Sequence, residues 1–173
     1  MKKLFYLLLL VFPLFAISCT DSDEEEYEES ENIGSVAGTW AFSSNSANVE
    51  TSGSYSIIVN PLLQVALQNY AASNEPSYYS FSDDGQFEAY VLQNEEAVLS
   101  GSGTYTLVDN ILTLTYADTS QAEEFEVITA DGSTLKIRKD YSSSMLYWGA
   151  GILGEYAGMT LSKATSTLTY VIQ

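Results

Sequence analysis

The chain offers few side chains able to do covalent chemistry. It has one cysteine, Cys19, and no histidine among 173 residues. Histidine-based triads, Cys/His zinc sites and cysteine–histidine nucleophiles are therefore excluded, because each needs an imidazole as base or ligand. What remains are carboxylates. Asp83/Asp84, Glu95/Glu96 and Glu123/Glu124 stand as adjacent pairs beside turns or at a strand start. Two carboxylates hydrolyse a glycoside only when they flank its bond. Neighbours on a strand point to opposite faces, so a pair such as Glu123/Glu124 cannot flank one bond and reads as solvated surface acid. Ser102, in Gly101-Ser102-Gly103, has no base in sight and no nucleophile-elbow sequence around it. Phosphate-binding glycine loops, dinucleotide fingerprints and calcium-loop spacings do not occur. The sequence reads as non-catalytic, with no metal and no cofactor.

Cys19 is defined by what precedes it. Met1-Lys2-Lys3 lead into an unbroken apolar run from Leu4 to Ile17, and the small residue Ser18 follows. That order is a secretory signal. The run has 14 residues, short of the ~20 that cross a bilayer as a helix. With a cysteine at the cleavage point, Ala16-Ile17-Ser18-Cys19 resembles the lipobox of a bacterial lipoprotein. The resemblance implies a mature chain that begins at Cys19, carries acyl chains there and is anchored in the outer membrane. From Thr20 to Glu31 eight residues are acidic and none is basic, which predicts a disordered tether. Within it, Ser22-Asp23-Glu24-Glu25-Glu26 resembles the export signal of Bacteroides-type surface lipoproteins, implying an anchor that faces outward. Residues 1–18 are thus read as signal peptide, 19–33 as lipidated cysteine and tether, and 34–173 as one domain.

Beyond the signal, Lys136, Arg138, Lys139 and Lys163 face 23 acidic residues, a net charge of −19. Such a chain is not expected to bind nucleic acid, where affinity rests on Lys and Arg. Nor would it adhere to anionic headgroups by charge, so the membrane is reached through lipid on Cys19. No cysteine is left for an internal disulfide, and stability must come from a hydrophobic core.

The elements that position these side chains have mostly a period of two. Val36 to Phe42, Tyr78 to Ser82 and Gln86 to Gln93 read as strands. So do Thr104 to Val108, Ile111 to Tyr116, Glu123 to Thr129 and Thr134 to Lys139. A last strand or pair lies between Met159 and Ile172. Asp83-Asp84-Gly85, Asp109-Asn110 and Ala130-Asp131-Gly132-Ser133 supply turns. Alternation puts Phe81, Phe87, Val91, Tyr105, Leu107, Leu112, Leu114, Phe125, Val127, Leu135 and Ile137 on one face. Glu88, Thr113, Thr115, Glu124, Glu126 and Lys136 fall on the other. The expected fold is all-β, an antiparallel up-and-down meander of about eight strands closed into a small barrel. One helix is inserted, at about 61–72. Asn60 is its expected N-cap, Pro61 its first residue, and Leu63, Leu67 and Tyr70 its apolar stripe. It would plug one end of the barrel or form a lid.

Several segments together resemble the lipocalin-like domains of Bacteroides-type lipoproteins. They are Gly38-Thr39-Trp40, Tyr79-Ser80-Phe81-Ser82-Asp83-Asp84-Gly85-Gln86-Phe87, Gly103-Thr104-Tyr105-Thr106-Leu107 and Leu112-Thr113-Leu114. Phe125-Glu126-Val127-Ile128 and Ser133-Thr134-Leu135-Lys136-Ile137 continue the series. The resemblance spans roughly 36–139 and implies a buried Trp40. In that family a late arginine packs on this tryptophan. Arg138, the only arginine, could take that part, but its parity with Lys136 equally allows an exposed position.

The segment from Ser142 to Tyr156 is apolar, aromatic and glycine-rich without a sustained period. Gly149, Gly151 and Gly154 disfavour a helix there. It is expected either to fold back on the core or to form a flap at the barrel mouth. In the second case Tyr147, Trp148 and Leu153, with Tyr70 from the helix, would line a ligand site. Two functions follow. One is a lipocalin-like surface lipoprotein holding a small apolar ligand in or at the mouth of the barrel. The other is a surface interaction or assembly module with a filled core, binding protein or glycan partners by its exterior.

Overall fold

Left-handed turns set the topology. Asn94, Glu95, Asp109, Asn110, Gly85 and Gly132 take positive φ, as tight hairpin connections between twisted strands require. The strands they join are β1 (Gly38–Ser52), β2 (Tyr78–Phe81), β3 (Gln86–Gln93), β4 (Glu96–Val108), β5 (Ile111–Tyr116), β6 (Ala122–Ala130), β7 (Thr134–Asp140) and β8 (Thr160–Ile172). They follow one another in sequence order as antiparallel neighbours, and β8 returns to β1. The result is the expected closed barrel. The structure, a computed structural model, describes residues 33–156 and 158–173. Cys19 and Ser22, Asp23, Glu24, Glu25 and Glu26 lie outside the described residues.

The faces follow alternation. Phe81, Phe87, Leu112, Leu114, Phe125, Val127, Leu135 and Ile137 are buried in the core, while Val91, Tyr105 and Leu107 are half-buried. Glu88, Thr115, Glu124, Glu126 and Lys136 are exposed. Trp40 is fully buried, and its Nε1 donates to the Val36 carbonyl at 2.7 Å. Gly38 has a φ of 140°, and a Cβ there would stand 2.9 Å from Ile172 Cδ1. The Gly-x-Trp spacing thus joins a backbone only glycine adopts easily to the ring that fills the core. Arg138 points to the outer face, 3.2 Å from Glu126 across the β6–β7 ladder. Of its two open placements, the outward one holds.

The helix α1 (Ser56–Asn74) is longer than its capping signals indicate. Asn60 does not cap it. Its Oδ1 accepts instead from Thr51 N at 3.0 Å and Thr51 Oγ1 at 2.7 Å. Pro61 lies inside the helix. Val59, Leu63, Leu67 and Ala71 are all buried, a stripe of four turns whose burial outweighs the hydrogen bond lost at proline. β2 covers β1 only from Gly38 to Ala41, whereas β8 pairs with β1 up to Ser52. Along the uncovered edge α1 stands in for a strand. Asn45 Nδ2 donates to the Gln68 carbonyl at 2.9 Å, and Gln68 Nε2 returns a bond to the Asn45 carbonyl at 3.0 Å.

The segment 142–156 corrects its sequence reading, for it forms two short helices, α2 (Ser142–Trp148) and α3 (Ala150–Glu155). Met145 is fully buried and Leu153 packs against the core. That burial offsets a glycine cost of about 1 kcal/mol per residue. The segment folds back on the barrel, as one of its two expected roles required.

Candidate functional site inside the barrel

The same alternation that builds the core carries polar groups into it. Phe125 and Val127 put Glu123 on the inner face of β6, and Leu135 and Ile137 do so for Lys139 on β7. Leu112 and Leu114 carry Tyr116 inward on β5. Phe81 does the same for Tyr79 on β2, and Leu168 for Tyr170 on β8. Tyr141 follows β7, and Glu75 caps the C-terminus of α1. A carboxylate opposes the helix dipole at that end, so Glu75 must be held by something else.

It is held from two sides. Lys139 Nζ lies 2.7 Å from Glu75 Oε1, and the Tyr141 hydroxyl donates to the same oxygen. Lys139 Nζ also lies 3.5 Å from Glu123 Oε2, and 5.2 Å and 5.4 Å from the ring centres of Phe125 and Tyr141. Tyr116 Oη donates to Glu123 Oε2 at 3.3 Å, and Tyr170 Oη to the Pro76 carbonyl at 3.2 Å. Side-chain exposure rises along the cluster from 5% at Glu75 through 19% at Lys139 to 37% at Glu123. It therefore runs from a sealed interior to the solvent beside the exposed 117–121 loop.

Tyr79 is the exception. Its hydroxyl is fully buried and makes no hydrogen bond of ordinary geometry among the described residues, although the Tyr116 hydroxyl lies close beside it. An unpaired buried hydroxyl costs about 1–3 kcal/mol. Burial raises its pKa well above the ordinary tyrosine value, and the neighbouring Tyr170, Glu75, Tyr116 and Glu123 add to the effect, so the hydroxyl stands near the cluster. Tyr116, Tyr141 and Tyr170 are raised in the same way, burial being the largest cause in each. All four are neutral hydroxyls at physiological pH.

Of the residues singled out from sequence, Tyr70 is half-buried on α1, with its ring 6.0 Å from that of Tyr141 and edge-on to it. Leu153 is half-buried against the core. The side chains of Tyr147 and Trp148 lie outside the described residues. Glu75, Tyr79, Tyr116, Glu123, Lys139 and Tyr141 were not singled out as site residues. The reading of Glu123 as a solvated surface acid is corrected here: it shares the parity of Phe125, is only partly exposed and lies 3.5 Å from Lys139 Nζ.

The outer wall has relief of its own. A depression of about 350 Å³ is lined by Thr39, Tyr78, Ser80, Tyr90, Ala97 and Gln173. A smaller one of about 210 Å³ lies by Leu99, Ser102 and Asp118. Among the described residues, no group of three or more His, Cys, Asp or Glu could hold a metal ion.

The family model of the lipocalin-like domain matches residues 36–137, more than half of the chain and nearly all of β1 to β7. The chain belongs to the lipocalin-like domain family. No curated protein matches it. Glu75, Tyr79, Tyr116 and Glu123 stand within the lipocalin-like match. Lys139, Tyr141 and Tyr170 come from the segment beyond it, so the cluster joins the two parts.

Proposed function

We propose that the protein is a non-catalytic, lipid-anchored lipocalin-like binding protein of the outer cell surface. Its barrel holds a small ligand, mostly apolar, with a polar end at the inner cluster. The observation that carries this reading is the Tyr79 hydroxyl, buried without a hydrogen bond of ordinary geometry where folded proteins nearly always supply one. Ligand sites of barrels lie within them or at their mouths, and Glu123 connects this one to solvent. The lipobox at Cys19 and the acidic tether support the surface anchor.

Native mass spectrometry of the mature chain, made with Cys19→Ser to prevent acylation and incubated with lipid extracts, tests the binding. A retained adduct that weakens in Tyr79→Phe or Tyr70→Ala supports the reading, and a folded chain that retains nothing counts against it. In cells, fatty-acid labelling lost in Cys19→Ser would support the anchor. Protease accessibility lost on replacing Glu24, Glu25 and Glu26 by Ala would support its orientation.

A second reading rests on the outer depression. Tyr78 and Tyr90 stand opposite each other in the β2–β3 ladder and line it with Thr39, Ser80 and Gln173. Tyrosine faces beside hydroxyl and amide groups suit a sugar. Glycan-array binding lost in Tyr90→Ala, with no adduct inside the barrel, would favour this exterior module.

A further inference from the structure

Asn94 and Glu95, both left-handed, join β3 to β4 and set Gln93 opposite Glu96. In such a hairpin the pair flanking the turn is hydrogen-bonded, and every second pair after it follows suit. Val91 and Val98 therefore bond each other, while Tyr90, Leu92, Ala97 and Leu99 aim their peptide groups away from the hairpin. On the β3 side these groups are used: Ser77 N donates to the Tyr90 carbonyl at 2.8 Å, and Leu92 N to Ser77 Oγ at 3.2 Å. On the β4 side, β5 pairs only from Gly103 to Val108, and Ala117 N adds a bond to the Ser102 carbonyl at 2.9 Å. Past that point Ala97 and Leu99 present two N–H and two C=O groups to solvent, engaged by no other described residue.

Sheet edges are ordinarily blunted by charge, proline or a covering element. The open edge of β1 has α1 across it. The β4 edge from Ala97 to Gly101 has no charge and no proline, and Val98 and Leu99 are exposed on it. In line with it lies the depression of about 210 Å³, walled by Leu99, Ser100, Gly101, Ser102, Ala117 and Asp118. Acids stand at both ends of this neutral stretch, Glu95 and Glu96 at the turn and Asp118 in the depression. No lysine or arginine occurs from Gln86 to Tyr116.

Those charges select the occupant. A second copy would bring its own Glu95 and Glu96 against the same acids, and so short a pairing falls well below the ~800 Å² per partner of a standard interface. A membrane does not fit either. The chain enters the barrel at Ile33, bridged to Ala130, and strand alternation puts the 94–95 turn at the opposite end. We infer that the β4 edge at Ala97 and Leu99 accepts an extended segment of a partner protein, apolar at its centre and flanked by Lys or Arg. Main-chain bonds to Ala97 and Leu99 supply affinity, and the depression takes one basic side chain beside Asp118. This site is separate from the barrel interior and stands whether or not the barrel carries a ligand.

The test is fluorescence anisotropy of a labelled peptide, Lys-Val-Thr-Val-Thr-Val-Lys, titrated with the mature chain carrying Cys19→Ser at pH 7 and physiological salt. The expected result is saturable binding, at least tenfold weaker when both lysines are replaced by glutamate. Binding is lost when the five central residues of the peptide are N-methylated, which removes their donors. Leu99→Pro blocks the edge and leaves the urea midpoint in place, because the N–H it removes faces solvent on an edge. Asp118→Asn, which touches no strand, weakens the lysine peptide several-fold and keeps the test open should Leu99→Pro unfold. Equal binding of the lysine and glutamate peptides overturns the inference, as does undiminished binding of the N-methylated peptide or no saturation at millimolar protein. A dimer in sedimentation that Leu99→Pro disperses assigns the edge to a second copy and overturns it too.

Discussion

Lys139 Nζ lies 2.7 Å from Glu75 Oε1, which ties the inner face of β7 to the C-cap residue of α1. The contact spans 64 positions of sequence and places a charged pair among tyrosines. It also fixes where α1 ends relative to the strands it partly replaces.

Breaking this pair from one side should be costly. Lys139→Met leaves the Glu75 carboxylate buried with only the Tyr141 hydroxyl, and losing one partner of a buried pair costs about 3 kcal/mol. Combining it with Glu75→Gln removes the stranded charge, so the double variant should recover more than half of that loss. Urea unfolding of the four chains of the cycle measures this. Strictly additive losses would mean that the pair is not coupled.

Alkali should unfold the protein through its tyrosines. Tyr79, Tyr116, Tyr141 and Tyr170 all have pKa values raised above the ordinary value, first by burial. A tyrosine with a higher pKa when folded keeps its proton longer in the folded state. Its contribution is whole below a pH of about 10 and drains as pH climbs toward the folded value. The loss approaches about 1.4 kcal/mol per pH unit for each fully buried group, and less for the partly exposed Tyr116, where solvent screens the effect. Urea midpoints should therefore be flat from pH 7 to 9 and fall steeply above 10. Tyr141→Phe should flatten the fall. A midpoint unchanged to pH 11 would contradict the burial of these hydroxyls.

Most of the barrel was legible in the sequence. Phe87, Leu112, Leu114, Phe125, Leu135 and Ile137 alternate strictly and their turns are specific, so period and turn chemistry agree. Two features were not legible, each because tertiary contact overrode a local signal. Asn60-Pro61 looks like a helix start, yet Val59, one turn before Leu63, is fully buried and extends the stripe. Gly151 and Gly154 weaken α3 locally, yet Met145 and Leu153 anchor the segment that contains it. The site was half legible. Glu123 shares the parity of Phe125 and Lys139 that of Ile137, a signal that adjacency to Glu124 masked by making Glu123 read as surface acid. Glu75 lies in no periodic pattern, and only the fold brings it to Lys139.

Two glycine-to-alanine changes should have opposite signs. A Cβ at Gly103 would stand 1.9 Å from the Thr115 carbonyl oxygen, so Gly103→Ala must break the β4–β5 ladder and should abolish the folded state. Gly151 is exposed in α3 with nothing within 4 Å of its Cβ position. Gly151→Ala should stabilise by up to about 1 kcal/mol through helix propensity. Thermal melts decide both, and a Gly103→Ala chain that melts normally would disprove the close approach.

The Gly-x-Trp motif can be separated into its steric and conformational parts. Gly38→Ala meets Ile172 Cδ1 at 2.9 Å, the far end of a side chain that is 42% exposed and free to give. Shortening it with Ile172→Val should relieve that clash at little cost of its own. The φ of 140° at position 38 remains, and a side chain held in such a region costs about 1–3 kcal/mol. Gly38→Ala should therefore destabilise the barrel, and Gly38→Ala/Ile172→Val should restore only part of the loss. Full restoration in urea titrations would assign the motif to packing alone. No restoration would assign it wholly to the backbone that aims Trp40 into the core.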